Sequence, residues 1–573
     1  MGIGFALLYR RSAPARSVLS VLAPAPVAFL LLFLFASPAG RLVGGGEAQA
    51  AARPLPARTP VVMVVLDELP TASLMDARGR IDAARYPGFA RLARESWWFR
   101  NAATVYDSTT KAVPAIVTGR EPRPGQLPLA SDHAQTLFTL LGGSYRMRVS
   151  EDATHLCPRR ICPTTAREAR GRRLRALAGD SLAVYANVVS PPGLRDHLPD
   201  LSQGWRDFRG ADRARTFQRF LDSVRSGRPA RFETWVEGIR PGPRPSLDFV
   251  HVLLPHGPYQ YLPSGRAYDD ATGRVAGLHR AFADPGLNEH VWQRHLLQVG
   301  MVDRMVGRLL DRLEETGMDE RALLVVVADH GIAFRRGEDR RKVTRRNVED
   351  IAPVPLFVRL PGQRRGHVSE RWVRTTDVMP TIADVLDVPL GWRSDGRSVF
   401  ARGPDRDGVT IPDREDVVLR VTAAELLARR QRSLRRRIGL MGEGDEAPGL
   451  FGIGPHPELM GRTVTALGRG PAGRARVRLD EVGALRRVDP ASAFVPAQVT
   501  GRIGGEAPRR RPLAVAVNGR IEATATSFTL LGDEQVSVMV PERSLRRGAN
   551  SVELFEVVGS GEGPRLVALG GAG

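Results

Sequence analysis

Leu323-Leu-Val-Val-Val-Ala-Asp329-His330-Gly331 is the stretch on which the reading of this chain turns. Its aliphatic residues have no polar interruption, as a strand buried on both faces requires. The run stops at Asp329 and His330, a carboxylate and an imidazole, groups that bind metals or move protons. Gly331 then permits a sharp turn. In open α/β sheets, ligands lie outside the carboxyl ends of the strands. An Asp-His pair at such an end is where a site is expected.

The pattern recurs twice. Val61-Val-Met-Val-Val-Leu is a second apolar run, and it ends in Asp67 and Glu68. Phe249-Val-His-Val-Leu-Leu is a third, with Pro255 and His256 just beyond it. His251, inside that run, reads as a core histidine, whereas His256 sits in the loop where a site residue belongs. Between the first two runs, Tyr106 to Arg120 places a hydroxyl cluster (Ser108, Thr109, Thr110) ahead of an apolar segment with Pro114 early in it. That is the signature of a helix N-terminus, whose free N–H groups suit an anion. Helical spacing is also present from Tyr86 to Glu95 and from Gln298 to Gly317, and Val354 to Leu360 reads as a further strand. Strands alternating with helices predict an α/β architecture. Carboxylates and imidazole at converging strand ends suit a divalent metal. A metal beside a hydroxyl lowers its pKa and makes it a nucleophile. The residues alone therefore predict metal-assisted attack by a threonine on an anionic ester.

Composition sets the outer bounds. The chain has 573 residues, 42% of them hydrophobic, which is enough for two or three domains. Its net charge is +21, carried by arginines spread along the chain. No zinc finger, aromatic RNP-like strand or basic heptad segment accompanies that charge, so nucleic acid is excluded as the expected partner. Only two lysines occur, Lys111 and Lys342. Against an arginine background, each is a candidate for a compact charge in a tight pocket. The two cysteines, Cys157 and Cys162, are spaced to close a small disulfide loop suited to an oxidising compartment; two free thiols is the other reading.

The termini differ in character from the centre. Arg10, Arg11 and Arg16 precede an apolar run from Ser17 to Ala39, long enough to span a bilayer with the remainder outside. An uncleaved anchor is the favoured reading and a cleaved signal peptide the alternative. Residues 428–437 are strongly basic and read as a solvated connecting helix. Beyond Gly473 the segments are short and alternating, and Asn518-Gly519 marks a hairpin. A small β-sandwich without a catalytic constellation is expected there.

From Pro60 to Phe400 the chain resembles the sulfatase-like branch of the alkaline phosphatase superfamily. The resemblance rests on Asp329-His330-Gly331 after the Val-rich strand, on Val302-Asp303 and Val306-Gly307 in the preceding helix, on Val354-Pro-Leu-Phe-Val-Arg-Leu-Pro-Gly362, and on Thr376-Asp377-Val-Met-Pro380-Thr381. Two registers then converge on one nucleophile. Thr118-Gly119-Arg120 puts the sulfatase position on Thr109, and Val113-Pro114 puts the phosphoethanolamine-transferase position there too. The resemblance implies that Asp67, Thr109, Asp329 and His330 hold one divalent ion (Zn, Mn, Mg or Ca), with Glu68 a further candidate ligand. It implies that His256, in Pro255-His256-Gly257-Pro258, binds substrate, protonates the leaving group or serves a second metal. Lys342 falls where sulfatases place a substrate-contacting lysine, and Lys111 joins it as a candidate catalytic residue. The chain departs from the pattern in three places. Thr109 cannot mature to formylglycine, Val113 stands where sulfatases carry an arginine, and no second-metal histidine follows the Asp-His pair.

The expected fold is thus α/β, an alkaline-phosphatase-like sandwich of helices on a central, mostly parallel sheet. Four segments are expected: a membrane anchor or signal with linker at 1–59, a catalytic domain at 60–402, a basic helical linker at 403–472, and a β-sandwich-like domain at 473–573. The expected protein is exported and membrane-tethered, a metal-dependent hydrolase or phosphotransferase. Its substrate would be an anionic phosphate ester, such as a lipid head group or cell-envelope polymer. A sulfuric ester hydrolase and a non-catalytic envelope binding protein that keeps the fold are the alternatives.

Overall fold

The computed structural model describes residues 55–162, 227–268, 285–444 and, with short interruptions, 449–571, together with a few isolated positions. The apolar N-terminal segment expected to anchor the chain lies, apart from isolated positions, outside the described residues. Among the described residues, no helix is long and apolar enough to cross a membrane.

The centre is a seven-stranded sheet. In chain order its strands are β1 (Val61–Asp67), β2 (Trp97–Ala103), β3 (Arg146–Glu151), β4 (Ser246–Pro255), β5 (Leu323–Ala328), β6 (Leu356–Arg359) and β7 (His367–Arg374). They lie in the order β3-β4-β1-β5-β6-β2-β7. Only β6 runs against the other six. The three apolar runs picked out in the sequence are the adjacent central strands β4, β1 and β5. Successive side chains of β1 serve opposite faces, as the period of two requires. Val62, Val64 and Leu66 enter one core, and Val61, Met63 and Val65 enter the other. Burial on both faces is why these strands read as unbroken hydrophobic runs.

Helices cover both faces. Helix α1 spans Pro87–Glu95, α2 spans Thr109–Thr118 and α3 spans Pro285–Glu315. Val299, Val302, Val306, Leu309, Leu310 and Leu313 of α3 face the first core. Asp303 of α3 accepts hydrogen bonds from the backbone N–H of Gly88 (3.0 Å) and Phe89 (2.7 Å). It thereby caps α1, whose own N-cap residue Tyr86 supplies no side-chain bond. A Cβ on Gly88 would lie 2.3 Å from the Asp303 carbonyl oxygen, so this close helix contact needs glycine.

Two parts of the C-terminal third differ from expectation. The basic helix, α4 (Ala423–Met441), is docked rather than solvated, with Leu426, Arg430, Ser433, Leu434, Arg437 and Met441 buried. Arg430 donates to the Arg100 carbonyl at 2.9 Å, and Arg437 donates to the Met75 carbonyl. Arginine stems supply apolar surface while their heads find carbonyls, so a thin aliphatic stripe was enough to bury the helix. The β domain pairs a five-stranded with a four-stranded sheet. Its boundary falls before the expected position 473, because Gly452, Thr463 and Arg469 bridge to Thr524, Arg520 and Leu566 of its strands. The Asn518-Gly519 turn joins two of those strands, with both residues at positive φ (52° and 82°). The domain also grips the part that carries the seven-stranded sheet. Ala267 N–H donates to the Ala493 carbonyl at 2.8 Å, and Val495 N–H donates to the Ala267 carbonyl at 2.9 Å.

Candidate metal and nucleophile site

Strand register brings the site together. Leu66 lies opposite Ala328, and Asp329 N–H donates to the Leu66 carbonyl at 2.9 Å. Asp67 and Asp329 therefore leave adjacent strand ends side by side, both fully buried. On the other flank of β1, Asp67 pairs with Pro255 across a bulge, which puts the His256 loop next to them. Helix α2 begins with Thr109, whose hydroxyl stands 3.4 Å from Asp67 Oδ1 and 3.3 Å from His330 Nε2. His330 Nε2 is 3.8 Å from both Asp67 Oδ1 and Asp329 Oδ2. Its Nδ1 faces the Gly331 carbonyl at 2.9 Å, so Nδ1 carries the proton and Nε2 offers its lone pair to the cluster.

This cluster fits a divalent ion. One ligand atom from each of Asp67, Asp329 and His330 lies within 4.8 Å of the others. Asp67 Oδ2 and Asp329 Oδ2 are buried with no hydrogen-bond partner among the described residues. Two neighbouring buried carboxylates with spare lone pairs demand a positive charge. Burial, reinforced by Asp329, holds the Asp67 carboxyl well above the ordinary carboxylate range. Burial also pushes Asp329 up to about 7. The set of carboxylate, imidazole and hydroxyl donors is compatible with Zn, Mn, Mg or Ca.

The other expected residues divide. Glu68 is buried, but it takes the left-handed backbone region (φ 60°) immediately after Asp67. Its carboxylate pairs with the Arg341 guanidinium and lies 3.6 Å from His256 Nε2. Burial alone would raise its pKa; Arg341, then His256, outweigh that and hold it well below the usual range. His256 reaches this second group. Its Nδ1 faces the Gly257 carbonyl, and its Nε2 meets an Arg341 Nη2. Burial pushes the His256 pKa down to about 3, which leaves the ring neutral. A neutral ring protonated at Nδ1 offers an acceptor, not a proton, on its Nε2 side.

Neither lysine joins the cluster. Lys342 pairs with Glu415 (2.7 Å) and Asp413 (3.5 Å). Lys111 extends from the first turn of α2 to the Arg123 carbonyl. It lines a cavity of ≈ 170 Å³ with Arg120, Asp132 and His133, to which Asp67, Thr109, Asp329 and His330 do not contribute. His251 is buried in β4 as a core residue.

Two residues at the site carried no sequence signal strong enough to find them. Arg341 is one of six arginines between Arg335 and Arg346, and periodicity gives no reason to choose it. Asp107 is fully buried two residues before Thr109 and accepts the Val343 N–H at 2.9 Å. It ties the loop carrying Arg341 to the start of α2, and its place in the hydroxyl-rich approach to that helix was the available hint. The disulfide Cys157–Cys162 is formed.

Residues 230–388 match the sulfatase family model. An endo-4-O-sulfatase of Bacteroides thetaiotaomicron is 23% identical over 151 residues, 25% of this chain and 29% of that protein. The multifunctional alkaline phosphatase superfamily protein PehA of Trinickia caryophylli is 28% identical over 152 residues, 26% of this chain and 28% of that protein. The matched stretches thus span under a third of these two relatives. Among solved structures, a phosphonate monoester hydrolase of Agrobacterium radiobacter aligns with TM-score 0.39 at 17% identity, covering 62% of this chain and 80% of that one.

Proposed function

We propose that this chain, which carries a domain of the sulfatase-like branch of the alkaline phosphatase superfamily, is a metal-dependent hydrolase or phosphotransferase acting on phosphate esters through Thr109. One observation carries the reading. A buried hydroxyl at the first residue of a helix lies 3.3 to 3.4 Å from two groups of a carboxylate–imidazole cluster that calls for a cation.

A divalent ion held by Asp67, Asp329 and His330 would supply Lewis acidity at the ester and lower the pKa of the adjacent hydroxyl. The residues of the chain do the rest. The Thr109 Oγ1 proton passes to the carboxylate it already faces. Oγ1 bonds to phosphorus as the ester oxygen departs, giving a phosphothreonine. The backbone N–H groups opening α2 favour the developing negative charge. Water completes a hydrolase cycle by cleaving that phosphothreonine; an alcohol acceptor completes a transferase cycle. The formed disulfide and the apolar N-terminal segment support an exported, membrane-tethered location facing anionic envelope or lipid esters.

Metal-reconstituted protein assayed against an aryl phosphodiester, an aryl phosphate and an aryl sulfate tests the reading. Thr109→Ala should lower phosphate-ester turnover by about 10³-fold or more. Phosphate should be found on Thr109 by mass spectrometry after a quench. Full metal-dependent turnover in Thr109→Ala would end the threonine mechanism. Turnover of the aryl sulfate alone would move the reading to a sulfuric ester hydrolase, the activity in the names of the sulfatase relatives.

A further inference from the structure

We propose that the outer face of a β-hairpin and of helix α4, beside the site, is a docking surface for an anionic lipid bilayer. The inference rests on the reading above for what it delivers, an ester in a lipid head group; the contact with lipid is independent of Thr109.

The hairpin pairs β8 (Gly408–Pro412) with β9 (Val418–Thr422) as a separate two-stranded sheet, and β9 runs directly into α4. One face is packed. Val409, Ile411 and Val421 join Leu426 of α4 in a core cluster with Val343 and Val348. The other face is exposed, with Val418, Arg420 and Thr422 alternating against buried Val421. A solvated face calls for polar residues. Val418 is instead 53% exposed, Val417 beside it 62%, and Leu427, next to buried Leu426 on α4, 38%. Among the described residues only one other large hydrophobic side chain, Val368, is exposed. Single exposed apolar residues need no explanation, whereas a group of them marks an interaction surface. The turn is also built to hold them out. Asp413 Oδ1 accepts the N–H of Glu415 and of Val417, both at 2.9 Å.

Charge selects the occupant. Arg345, Arg420, Arg432 and Arg435 are exposed, and none forms an ion pair among the described residues. The neighbouring acids are engaged: Glu415 by Lys342 at 2.7 Å, Asp416 by the Tyr106 hydroxyl at 3.3 Å and Glu425 by Arg429 at 2.7 Å. Arg429 also donates to the Arg345 carbonyl, which sets α4 against the loop bearing Arg345. Exposed apolar side chains among unpaired arginines match a membrane interface, where the first enter the acyl boundary and the second meet anionic head groups. A soluble polyanion would satisfy the arginines but has no use for Val417, Val418 and Leu427.

The location gives the contact a purpose. Arg414 of the hairpin turn donates to the Asp107 carbonyl at 3.5 Å, and Asp416 holds Tyr106. Thr109 follows two residues after Asp107 and opens α2. A bilayer resting on the turn therefore presents its head groups near the start of α2. Val368 lies at the other end of the sheet. It stands near the start of β7, and the parallel neighbour β2 leads from Ala103 toward Thr109.

The full chain, reconstituted into vesicles of phosphatidylcholine with or without phosphatidylglycerol, tests the proposal. An environment-sensitive bimane is attached at Val418→Cys or, for comparison, at Val368→Cys. The native cysteines are joined as Cys157–Cys162 and do not take the label. On anionic vesicles the label at 418 should shift to the blue and be quenched by lipids brominated on their acyl chains; the label at 368 should do neither. Arg420→Gln and Arg435→Gln should each lower the docked-to-free ratio about fivefold, the weight of one basic residue near an anionic surface. Added salt should lower it further. Equal quenching at 418 and 368, or none at either, would overturn the proposal. So would shielding of the 418 label by soluble polyphosphate but not by vesicles, or by self-association without lipid. Val417→Glu combined with Val418→Glu should lower turnover of a vesicle-borne phospholipid about tenfold or more, and leave turnover of a soluble aryl phosphodiester within about twofold. Undiminished soluble turnover in Thr109→Ala would sink the threonine mechanism while the 418 label still reported lipid contact, so the two readings fail separately.

Discussion

The molecule buries charge in two places and treats it in opposite ways. In the β domain, Arg511 is 1% exposed and wholly paired. Its Nε meets Glu534 at 2.9 Å, Nη1 meets Glu556 at 2.7 Å and Nη2 meets Glu506 at 3.0 Å. Ser527 and Arg509 occupy further lone pairs of those carboxylates. At the strand ends of the seven-stranded sheet, Asp67 and Asp329 have oxygens with no hydrogen-bond partner among the described residues, and the His330 imidazole lies 3.8 Å from each carboxylate. The first arrangement is closed and pins strands of the two β-domain sheets to each other. The second is open and stores unmet demand for a cation. Compensation, rather than burial or charge alone, separates a structural cluster from a candidate site.

The largest effect should come from opening the closed cluster. Arg511→Met keeps apolar bulk but strands Glu534 and Glu556, both almost completely buried. Breaking a buried pair from one side costs about 3–5 kcal/mol. Urea denaturation of the variant should show a loss of that size, and Mn²⁺ affinity of the folded protein should be unchanged. A loss under about 1 kcal/mol would mean the arginine is not needed to balance those carboxylates, and the contrast would fail.

The same contrast governs what could be read from sequence. β1, β4 and β5 were legible because strands buried on both faces leave unbroken apolar runs, and polar residues at their ends stand out. Asp67, Asp329 and His330 meet as that pattern implies, and Thr109, singled out among its neighbouring hydroxyls by the family resemblance, joins them. Arg341 and Arg511 were not legible. Each is one arginine among many, and its meaning lies in carboxylates distant in sequence: Glu68 for one, Glu534 and Glu556 for the other. Lys342 shows the converse. Its rarity drew the eye to it, but the loop turns its neighbour inward and sends Lys342 to Asp413 and Glu415. The basic helix α4 misled for a related reason, since its buried face is completed by Arg430 and Arg437 rather than by aliphatic residues.

A smaller effect of opposite sign is expected from the open cluster. Asp329 Oδ1 accepts the His330 N–H at 2.6 Å, whereas its Oδ2 has no hydrogen-bond partner among the described residues. An asparagine at this position would keep the acceptor and place an amide N–H₂ beside Asp67. In EDTA at pH 8, Asp329→Asn should therefore raise stability by about 2–3 kcal/mol, because a buried uncompensated charge is removed. With Mn²⁺ in excess, the wild type should gain stability and the variant should gain much less. Destabilisation of the variant in EDTA would place this cluster in the same class as Arg511.

Asp303 lies between the two extremes and should give the smallest effect. Two backbone N–H groups satisfy it, but no cation among the described residues pairs with it, and burial pushes its pKa up to about 6. The sign follows from the folded state holding the proton more tightly than the unfolded chain, whose carboxyl titrates near 3.9. The contribution is most favourable below pH 4 and is lost as pH rises through 6. An asparagine has no such dependence, although its amide would face the Gly88 N–H and lower stability by a constant amount. The stability of wild type minus that of Asp303→Asn should consequently fall by about 1–2 kcal/mol between pH 4 and pH 7. The slope of that difference is the readout, since the constant offset cancels. A flat difference would mean that two backbone hydrogen bonds compensate a buried carboxylate as fully as an arginine does. The open cluster would then be distinguished by its lack of donors rather than by its lack of a cation.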